Sequence, residues 1–275
     1  MKLKELYEKV INKLKEAEIP NPQLEALIII SESLNIPKYK VITEPDLDII
    51  NYQEVLKVAE KRAKRYPLAY LINKKEFFGI TFYIEEGVLI PRPETEILVE
   101  EILKILPTDK EIIGLDIGTG SGVVSLSLLK NRENLRMYAT DISEKALKIT
   151  EKNAKILKLY DRIKIIKSNL FENIDEKFDF IVSNPPYIPE EEYEYLQEEV
   201  KKEPKEALIS KEGIYFYEEI IKQAKNYLKE DGFLAFEIGY NQAEKVKQIL
   251  KSYGYEDIKI IKDLQDIERV IIARR

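Results

Sequence analysis

The sequence predicts an α/β fold in which helices cover both faces of a mostly parallel sheet, preceded by a small all-helical domain. From residue 111 onwards, short apolar runs alternate with segments of helical periodicity, a pattern that favours parallel strands joined by crossover helices. Before residue 74, helical periodicity dominates. We therefore expect a helical domain at 1–73, a linking β-hairpin at 74–90 and a sheet domain at 91–275.

Three amphipathic helices are predicted in the first 73 residues. Apolar residues recur with helical spacing between 2 and 16. Asn21 precedes Pro22, an arrangement typical of a helix start. A third helix covers about 51–65 and ends in the basic run Lys61–Arg65. We favour a solvated helix end for this run, stabilised by the helix dipole. The alternative is a contact for an acidic or ribosomal partner.

A hairpin and a repeating strand–helix pattern are predicted next. Aromatic and β-branched runs at 76–84 and 88–90 flank a turn at Glu85–Gly87. A helix then starts at Pro91–Glu96, with acidic residues in its first turn. Seven strands follow at Ile112–Ile117, Arg136–Thr140, Ile163–Ile166, Phe178–Ser183, Phe233–Ile238, Ile258–Lys262 and Glu268–Ala273. Helices are expected near 121–131, 143–157, 213–229 and 241–252.

The composition excludes several kinds of chemistry. The 275 residues include no Cys and no His, so disulfides, thiolate or imidazole metal sites and Ser-His or Cys-His nucleophiles are absent. Catalysis must use carboxylates, amides, Tyr, Lys or a cofactor. The net charge of −6 does not suggest a broad face for nucleic acid. No apolar stretch reaches the ~18 residues of a membrane span, and the N-terminus is not a signal peptide. We expect a cytoplasmic monomer.

A nucleoside site is predicted where the first two sheet strands end. The first strand leads into Gly118, Gly120 and Gly122, whose spacing is G-x-G-x-G and not the dinucleotide pattern G-x-G-x-x-G. Asp141 ends the second strand and is placed to accept both ribose hydroxyls. Asp116 suits an ammonium group, such as the methionine part of S-adenosylmethionine. The predicted site comprises Asp116, Gly118, Thr119, Gly120, Ser121, Gly122, Asp141, Asn169, Leu170 and Asn184.

Simpler interpretations of these residues stay open. The glycines could make only a tight turn. Asp141, or Ser143 in its place, could cap the following helix. Asn169 could bond an adenine edge while Leu170 covers the base, but a polar loop residue beside an apolar core residue explains this pair equally well. None of these interpretations explains why the glycines and the carboxylate both follow predicted strand ends.

The segment Asn184-Pro185-Pro186-Tyr187 directly follows a buried strand. The prolines stiffen it and stop further pairing. The Asn184 side-chain oxygen and the Pro185 carbonyl could accept both N–H bonds of an amide or aromatic amine, orienting that nitrogen toward an electrophile. The Tyr187 ring could pack against the planar group. The simpler interpretation is a strand that ends in a proline-rich turn with a core tyrosine.

These motifs together resemble the HemK/PrmC family, the N5-glutamine methyltransferases of peptide chain release factors. The resemblance covers nearly the whole chain. Its most specific part is Val88–Glu96, which contains P-R-P-E-T-E. Further matching segments are Asp116–Gly122, Ile181–Ile188, Glu203-Pro204 with Ala207-Leu208, Glu237–Gly239 with Gln242, Pro22–Ala26, and Tyr70 with Glu76-Phe77.

The resemblance implies a Rossmann-like class I methyltransferase fold with seven strands and a helical substrate-recognition domain. It implies methyl transfer from S-adenosyl-L-methionine to the glutamine amide nitrogen in the Gly-Gly-Gln motif of class I release factors. By this resemblance Gly118, Gly120, Gly122, Asp141, Asn169 and Leu170 line the cofactor. Asn184, Pro185 and Tyr187 are then the catalytic residues, and with Pro186 they bind the substrate.

Three other functions remain as alternatives at this point. A nucleic-acid amino methyltransferase, acting on adenine N6 or guanine N2, would use the same Asn184–Tyr187 corner, although the acidic sheet domain disfavours it. A non-catalytic cofactor-binding protein would not need both motifs intact. A nicotinamide oxidoreductase is disfavoured by the glycine spacing.

Overall fold

The computed structural model describes residues 1–275 and contains two compact units. Unit 1 comprises Met1–Lys74 together with the short segment Gln197–Lys202. Unit 2 comprises Lys75–Leu196 and Glu203–Arg275. None of the helices combines the length and the apolar composition that a membrane crossing needs.

Unit 1 is a bundle of helices around an apolar core. Leu3, Leu6, Val10 and Leu14 follow the three- and four-residue spacing of one helix face and are fully buried. The three predicted helices are confirmed. Two shorter helices, at Lys38–Thr43 and Leu68–Ile72, were not predicted, because a segment of five or six residues is too short to show helical periodicity. The helices are α1 (Leu3–Glu16), α2 (Pro22–Leu34), α3 (Lys38–Thr43), α4 (Tyr52–Ala63) and α5 (Leu68–Ile72).

The basic run at the end of α4 is solvated only at its lysines, Lys61 and Lys64, which are exposed. Arg62 is only 5% exposed, and its guanidinium donates to Glu25 at 2.6 Å and to Glu199 at 3.0 Å. Arg65 donates to Glu199 at 3.3 Å and to the Ala17 carbonyl at 2.9 Å. The prediction is therefore wrong for both arginines. Their carboxylate partners lie far along the chain, where helical periodicity gives no sign of the pairing.

The hairpin is present, but its turn lies earlier than predicted. Strands β1 (Lys74–Phe77) and β2 (Ile80–Tyr83) form a two-stranded sheet. The two turn residues, Phe78 and Gly79, have φ values of 51° and 68°, as tight hairpin turns require. The Phe78 N–H donates to Glu96 Oε1 at 2.8 Å, which holds this residue in its left-handed conformation. The predicted turn at Glu85–Gly87 and the predicted strand at 88–90 are both irregular chain leading toward the next helix, because the hairpin is already closed by β1 and β2.

The predicted seven-stranded, mostly parallel sheet is confirmed in unit 2. Its spatial order is β10-β11-β9-β6-β3-β4-β5, and β11 alone runs in the direction opposite to the other six strands. A separate two-residue pair, β7 (Ile188–Pro189) with β8 (Ile209–Ser210), lies outside it. The seven strands are β3 (Ile112–Ile117), β4 (Leu135–Asp141), β5 (Ile163–Lys167), β6 (Phe178–Ser183), β9 (Leu228–Glu237), β10 (Glu256–Lys262) and β11 (Glu268–Arg274).

Five helices accompany this sheet. Most begin and end within two residues of the predicted positions. The exception is α9, which was expected to reach residue 229 but ends at Ala224, because Leu228 pairs with Phe178 and begins β9. Helical spacing continues through Leu228, so only the strand pairing decides the boundary. The helices are α6 (Thr95–Ile105), α7 (Val123–Asn131), α8 (Glu144–Ile156), α9 (Tyr215–Ala224) and α10 (Ala243–Ser252).

The arginine cluster of unit 1 can be tested by truncation. We expect Arg62→Ala to lower the free energy of unfolding by about 2–3 kcal/mol, because Glu25 loses its cation and Glu199 keeps only Arg65. The cost stays below the ~3–5 kcal/mol of a fully buried pair, since the two glutamates are 17% and 21% exposed. Urea denaturation followed by circular dichroism measures the loss. Lys64→Ala is the matched control because Lys64 is exposed. Equal unfolding energies for the two variants would refute a structural role for Arg62.

Candidate active site

The glycine loop lies between β3 and α7, as the sequence predicted. The N–H groups of Gly118 and Thr119 both donate to the Thr140 carbonyl at 2.9 Å, which joins the loop to the end of β4. Gly118 and Gly120 have φ values of 74° and 56°, and a Cβ on either would meet no atom within 4 Å. Open space beside a left-handed backbone lets a ligand approach closely. Gly122 differs, because its Cβ would meet Thr150 at 2.9 Å, so it serves helix packing.

Asp116 is a buried carboxylate that stabilises the glycine loop through hydrogen bonds. Its carboxylate is 2% exposed, and Oδ2 accepts hydrogen bonds from the hydroxyls of Thr119 at 2.8 Å and Ser125 at 2.7 Å. Burial raises the pKa of Asp116 to about 6, although the two hydroxyls lower it. Asp116 therefore ties the loop to the first turn of α7. The predicted contact with an ammonium group stays a prediction.

Asp141 ends β4 with its carboxylate beside the loop. Oδ2 accepts from the Gly120 N–H at 3.0 Å and Oδ1 from the Ser143 N–H at 2.9 Å. Burial raises the pKa of this carboxyl. Ser143 itself caps α8 by accepting from the Ala146 N–H at 3.3 Å. Because Ser143 performs the capping, the simpler interpretation of Asp141 as the cap is not needed.

A cavity of about 320 Å³ opens at the carboxyl ends of the strands, within the usual range for small-molecule sites. It brings together predicted residues from the ends of the four strands β3, β4, β5 and β6, namely Gly118, Gly120, Asp141, Asn169, Leu170, Asn184, Pro185 and Pro186. A smaller cavity of about 50 Å³ shares Gly118, Gly120 and Asn184 with the first. Asp116, Thr119 and Ser121 line this smaller cavity, whereas Gly122 and Tyr187 line neither.

Asn169 and Leu170 both reach the large cavity. Leu170 has a left-handed φ of 50°, and the Ser168 hydroxyl donates to its carbonyl at 2.9 Å. The Asn169 amide donates to Glu172 at 2.9 Å. The structure thus places both residues at the cavity, and their contact with adenine stays a prediction.

Several wall residues carry no chemical signature and were not selected from the sequence. They come from the irregular segment after β2, from the start of α8, from the 203–207 segment and from α9. Glu203, 4% exposed, joins two of these segments by accepting from the Ile90 N–H at 2.9 Å and from Arg92 at 2.6 Å. Only the resemblance pointed to this region. The walls are Gly87, Val88, Leu89, Ile142, Ala146, Pro204, Glu206, Ala207, Phe216 and Ile220.

The Asn184 corner presents acceptors to the large cavity. Asn184 Nδ2 donates to Thr95 Oγ1 at 3.2 Å, and no protein group donates to Asn184 Oδ1 or to the Pro185 carbonyl. Tyr187 makes two hydrogen bonds that the sequence did not predict. Its hydroxyl donates to Glu237 Oε1 at 3.2 Å, and its carbonyl accepts from Gln242 at 2.8 Å. Tyr187 thus fastens the corner to the sheet. The packing of its ring against a substrate amide stays a prediction.

Comparisons with known proteins agree with this geometry. The family descriptions that match are the methyltransferase small domain at residues 93–216 and the PrmC N-terminal domain at residues 5–72. A release factor glutamine methyltransferase of Aquifex aeolicus is 43% identical, over 100% of this chain and 96% of its own. The enzyme of that name from Clostridium botulinum is 39% identical over the full length of both chains. The chain belongs to the release factor glutamine methyltransferase family.

Solved structures support the fold of this family member. The ribosomal protein L11 methylase of Lactobacillus delbrueckii has a TM-score of 0.52 and 25% identity, over 70% of this chain and 84% of that one. A methyltransferase of Pyrococcus furiosus has a TM-score of 0.53 at 19% identity, over 72% and 89% of the two chains. The sheet is therefore the Rossmann-like sheet of class I methyltransferases.

The site fits S-adenosylmethionine, the methyl donor of such enzymes. Gly118 and Gly120 have no side chains and border open space, so a cofactor can approach the backbone of the loop there. Asp141 places a carboxylate at the same cavity, where it can accept ribose hydroxyls. Ile142 and Leu170 add apolar wall on which a base can rest.

Asp141 can be tested through cofactor affinity. We expect Asp141→Ala to weaken binding of S-adenosylmethionine by about tenfold or more, since the loss of a charged hydrogen-bond acceptor costs about 1.5–3 kcal/mol. Isothermal titration calorimetry measures the change. Asp161→Ala is the control, because Asp161 is exposed and lines neither cavity. An unchanged dissociation constant for Asp141→Ala would refute the ribose role.

Asp116 predicts a pH dependence of stability. Its pKa is about 6 in the folded protein and about 3.9 in an unfolded chain. Between these values the folded protein holds more protons at Asp116, so the contribution of this group to stability falls as the pH rises from about 4 to 6 and then levels off. We expect Asp116→Asn to reduce this fall by on the order of 1–3 kcal/mol. Denaturation at pH 4.5, 5.5 and 7 measures both slopes. Identical slopes for variant and parent would contradict the burial effect.

Proposed function

We propose that this enzyme transfers a methyl group from S-adenosylmethionine to the side-chain amide nitrogen of the glutamine in the Gly-Gly-Gln motif of class I peptide chain release factors. One observation carries the proposal. The same cavity is lined by the glycine loop with Asp141 and by Asn184–Pro186. A methyl donor on the first group of residues and an amide on the second would therefore meet within one space.

The chemical problem is that an amide nitrogen is a poor nucleophile, because its lone pair is delocalised into the carbonyl. Asn184 Oδ1 and the Pro185 carbonyl are two acceptors without donors of their own. A glutamine side chain has two amide N–H bonds to give them. Bound in this way, its nitrogen is fixed in direction. The two acceptor dipoles also stabilise the positive charge that develops as the nitrogen is alkylated.

S-adenosylmethionine supplies a sulfonium methyl, so that a nitrogen–carbon bond replaces a sulfur–carbon bond and the positive charge passes from sulfur to nitrogen. The alkylated amide nitrogen is strongly acidic and releases its proton to water after transfer. The corner therefore needs no side-chain base. Its contribution is orientation and electrostatic stabilisation, which suits a chain that contains no histidine or cysteine.

The N-terminal part supports a protein substrate. We propose that residues 1–73 form the substrate-recognition domain, 74–90 the link and 91–275 the methyltransferase domain. The PrmC N-terminal description covers residues 5–72. Residues 1–80 carry 14 basic and 12 acidic groups. This near balance does not suggest the broad basic face that nucleic-acid binding usually requires. A monomeric state, a cytoplasmic location and the lack of direct nucleic-acid binding stay predictions.

The decisive experiment offers labelled S-adenosylmethionine and a purified class I release factor to the enzyme. Peptide mass spectrometry then locates the label, while DNA and ribosomal RNA are offered in parallel. We expect one methyl group on the glutamine of Gly-Gly-Gln. Label on nucleic acid alone would replace the proposed substrate with an amino group of adenine or guanine and would leave the cofactor assignment intact.

The Asn184 corner can be tested by truncation. We expect Asn184→Ala to lower kcat by about 100-fold or more, equivalent to about 2.7 kcal/mol, because one acceptor of the glutamine amide is lost. The affinity for S-adenosylmethionine should change little. Steady-state kinetics and calorimetry separate the two quantities. Asn226→Ala is the control, since Asn226 is exposed and lines neither cavity. Weakened cofactor binding with normal turnover at saturation would overturn the assignment.

A further inference from the structure

A buried carboxylate lies behind the substrate corner, and the proposed chemistry does not use it. Glu237 ends β9 and pairs with Val270 of β11. The residue is 2% exposed. Its Oε1 accepts the Tyr187 hydroxyl at 3.2 Å, whereas its buried Oε2 makes no well-formed hydrogen bond. A buried acceptor without a donor lowers the stability of the folded protein. A functional role would explain why the chain keeps this carboxylate.

Thr95 connects Glu237 to Asn184. It is the first residue of α6, is 3% exposed and receives the Asn184 Nδ2 hydrogen bond on its hydroxyl oxygen at 3.2 Å. The proton of this hydroxyl has no other acceptor, and Thr95 lowers the pKa of the Glu237 carboxyl as a hydrogen-bond donor, so this proton is the one available to the unpaired Oε2. Thr95 therefore stands between an amide that donates and a carboxylate that only accepts.

Which of Asn184, Thr95 and Glu237 donates each hydrogen bond follows from the protons that each side chain carries. An ionised carboxylate can only accept, and a hydroxyl has a single proton to donate. When that proton goes to Glu237, only lone pairs remain on Thr95 Oγ1 for Asn184. Asn184 must then turn its NH₂ group toward Thr95. Its oxygen consequently faces the cavity, where the glutamine amide needs an acceptor.

We propose that Glu237, acting through Thr95, is a positioning residue that fixes the side-chain amide of Asn184 with its oxygen toward the substrate glutamine. This inference rests on the proposed function. With the amide reversed, Asn184 would present N–H groups to the N–H groups of the glutamine. Its oxygen would also face the lone pairs of Thr95. A second arm, from the Tyr187 hydroxyl to the same carboxylate, fixes the chain segment that follows Asn184.

The ionisation of Glu237 therefore bears on turnover. Burial raises its pKa to about 7, although the hydroxyls of Thr95 and Tyr187 lower it. The other ionisable groups that face this cluster are Glu94, which raises this pKa, Arg269, which lowers it, and Arg92, which acts on Tyr187. Tyr217 lies beneath it and donates to the Glu237 backbone carbonyl at 3.0 Å. A protonated Glu237 no longer requires the Thr95 proton, so kcat should fall as the pH drops below about 7.

The main test replaces the carboxylate by a group of the same shape. In Glu237→Gln one oxygen becomes an NH₂ group, which donates to Thr95 and turns the hydroxyl proton toward Asn184. We expect kcat for release factor methylation to fall about 10- to 100-fold. The dissociation constant for S-adenosylmethionine should stay within about twofold, since Glu237 lines neither cavity. The acid limb of the kcat–pH profile near 7 should disappear.

A matched pair at Thr95 keeps the proposal testable if Glu237→Gln folds poorly. Thr95→Ser retains the hydroxyl and should keep kcat within about threefold. Thr95→Val removes the hydroxyl at nearly constant volume and should lower kcat as Glu237→Gln does. A readout independent of turnover is the Asn184 side-chain ¹⁵N–¹H₂ signal in asparagine-labelled enzyme, identified by its absence in Asn184→Ala. We expect this signal to shift in Thr95→Val and in Glu237→Gln, but not in Thr95→Ser.

The outcomes separate this inference from the proposed function. If the parent enzyme does not methylate the release factor, the proposed function fails. If the parent does and Glu237→Gln or Thr95→Val turns over normally, the positioning role alone is overturned. Equal losses in Thr95→Ser and Thr95→Val, with no shift of the Asn184 signal, would also overturn it, because the loss would then come from packing.

Discussion

The site depends on three parallel strands that end at the same level on one edge of the sheet. The central strand β3 pairs with β4 and β6 on its two sides, so that Ile117 lies opposite Thr140 and Ser183. Side-chain hydrogen bonds fix this level, with the Ser183 hydroxyl donating to the Ile117 carbonyl at 2.7 Å. The glycine loop, Asp141 and Asn184 therefore lie at or just after the ends of these strands and line one cavity. A one-residue slip in either pairing would turn Asp141 or Asn184 away from the common cavity.

The second constraint is the way in which the chain uses buried carboxylates. Without histidine or cysteine, it places Asp116 and Glu237 under the site and surrounds each with hydroxyl groups. Burial raises both pKa values, and the hydroxyl donors lower them. Asp116 holds the backbone of the cofactor loop, and Glu237 holds the corner proposed for the substrate. In both places a fixed acceptor behind the site stabilises the groups that face the ligand.

Much of the fold was predictable because its strands are buried on both faces and read as continuous apolar runs. All seven strands of the sheet are present where the sequence predicted them, with small shifts at their ends except in β9, which begins five residues early, at Leu228 instead of Phe233. The errors fall where local pattern and long-range pairing disagree. The hairpin turn is set by Phe78 and its hydrogen bond to Glu96, and α9 ends early because Leu228 pairs with Phe178. The basic run of α4 looked like a solvated helix end because Glu199, which pairs with both of its arginines, lies 137 positions after Arg62.

The sequence by itself determined the chemistry available at each strand end: glycines and a carboxylate for a nucleoside, and an amide and a rigid carbonyl for an acceptor pair. These are local properties, carried by residues adjacent in the chain and made rigid by glycine and proline geometry. Only the tertiary structure decided how these groups are oriented. Asn184 bonds Thr95 across 89 positions, and Tyr187 bonds Glu237 across 50. Such pairings depend on which elements the fold packs together, and no local pattern in the chain encodes the direction of a hydrogen bond between them.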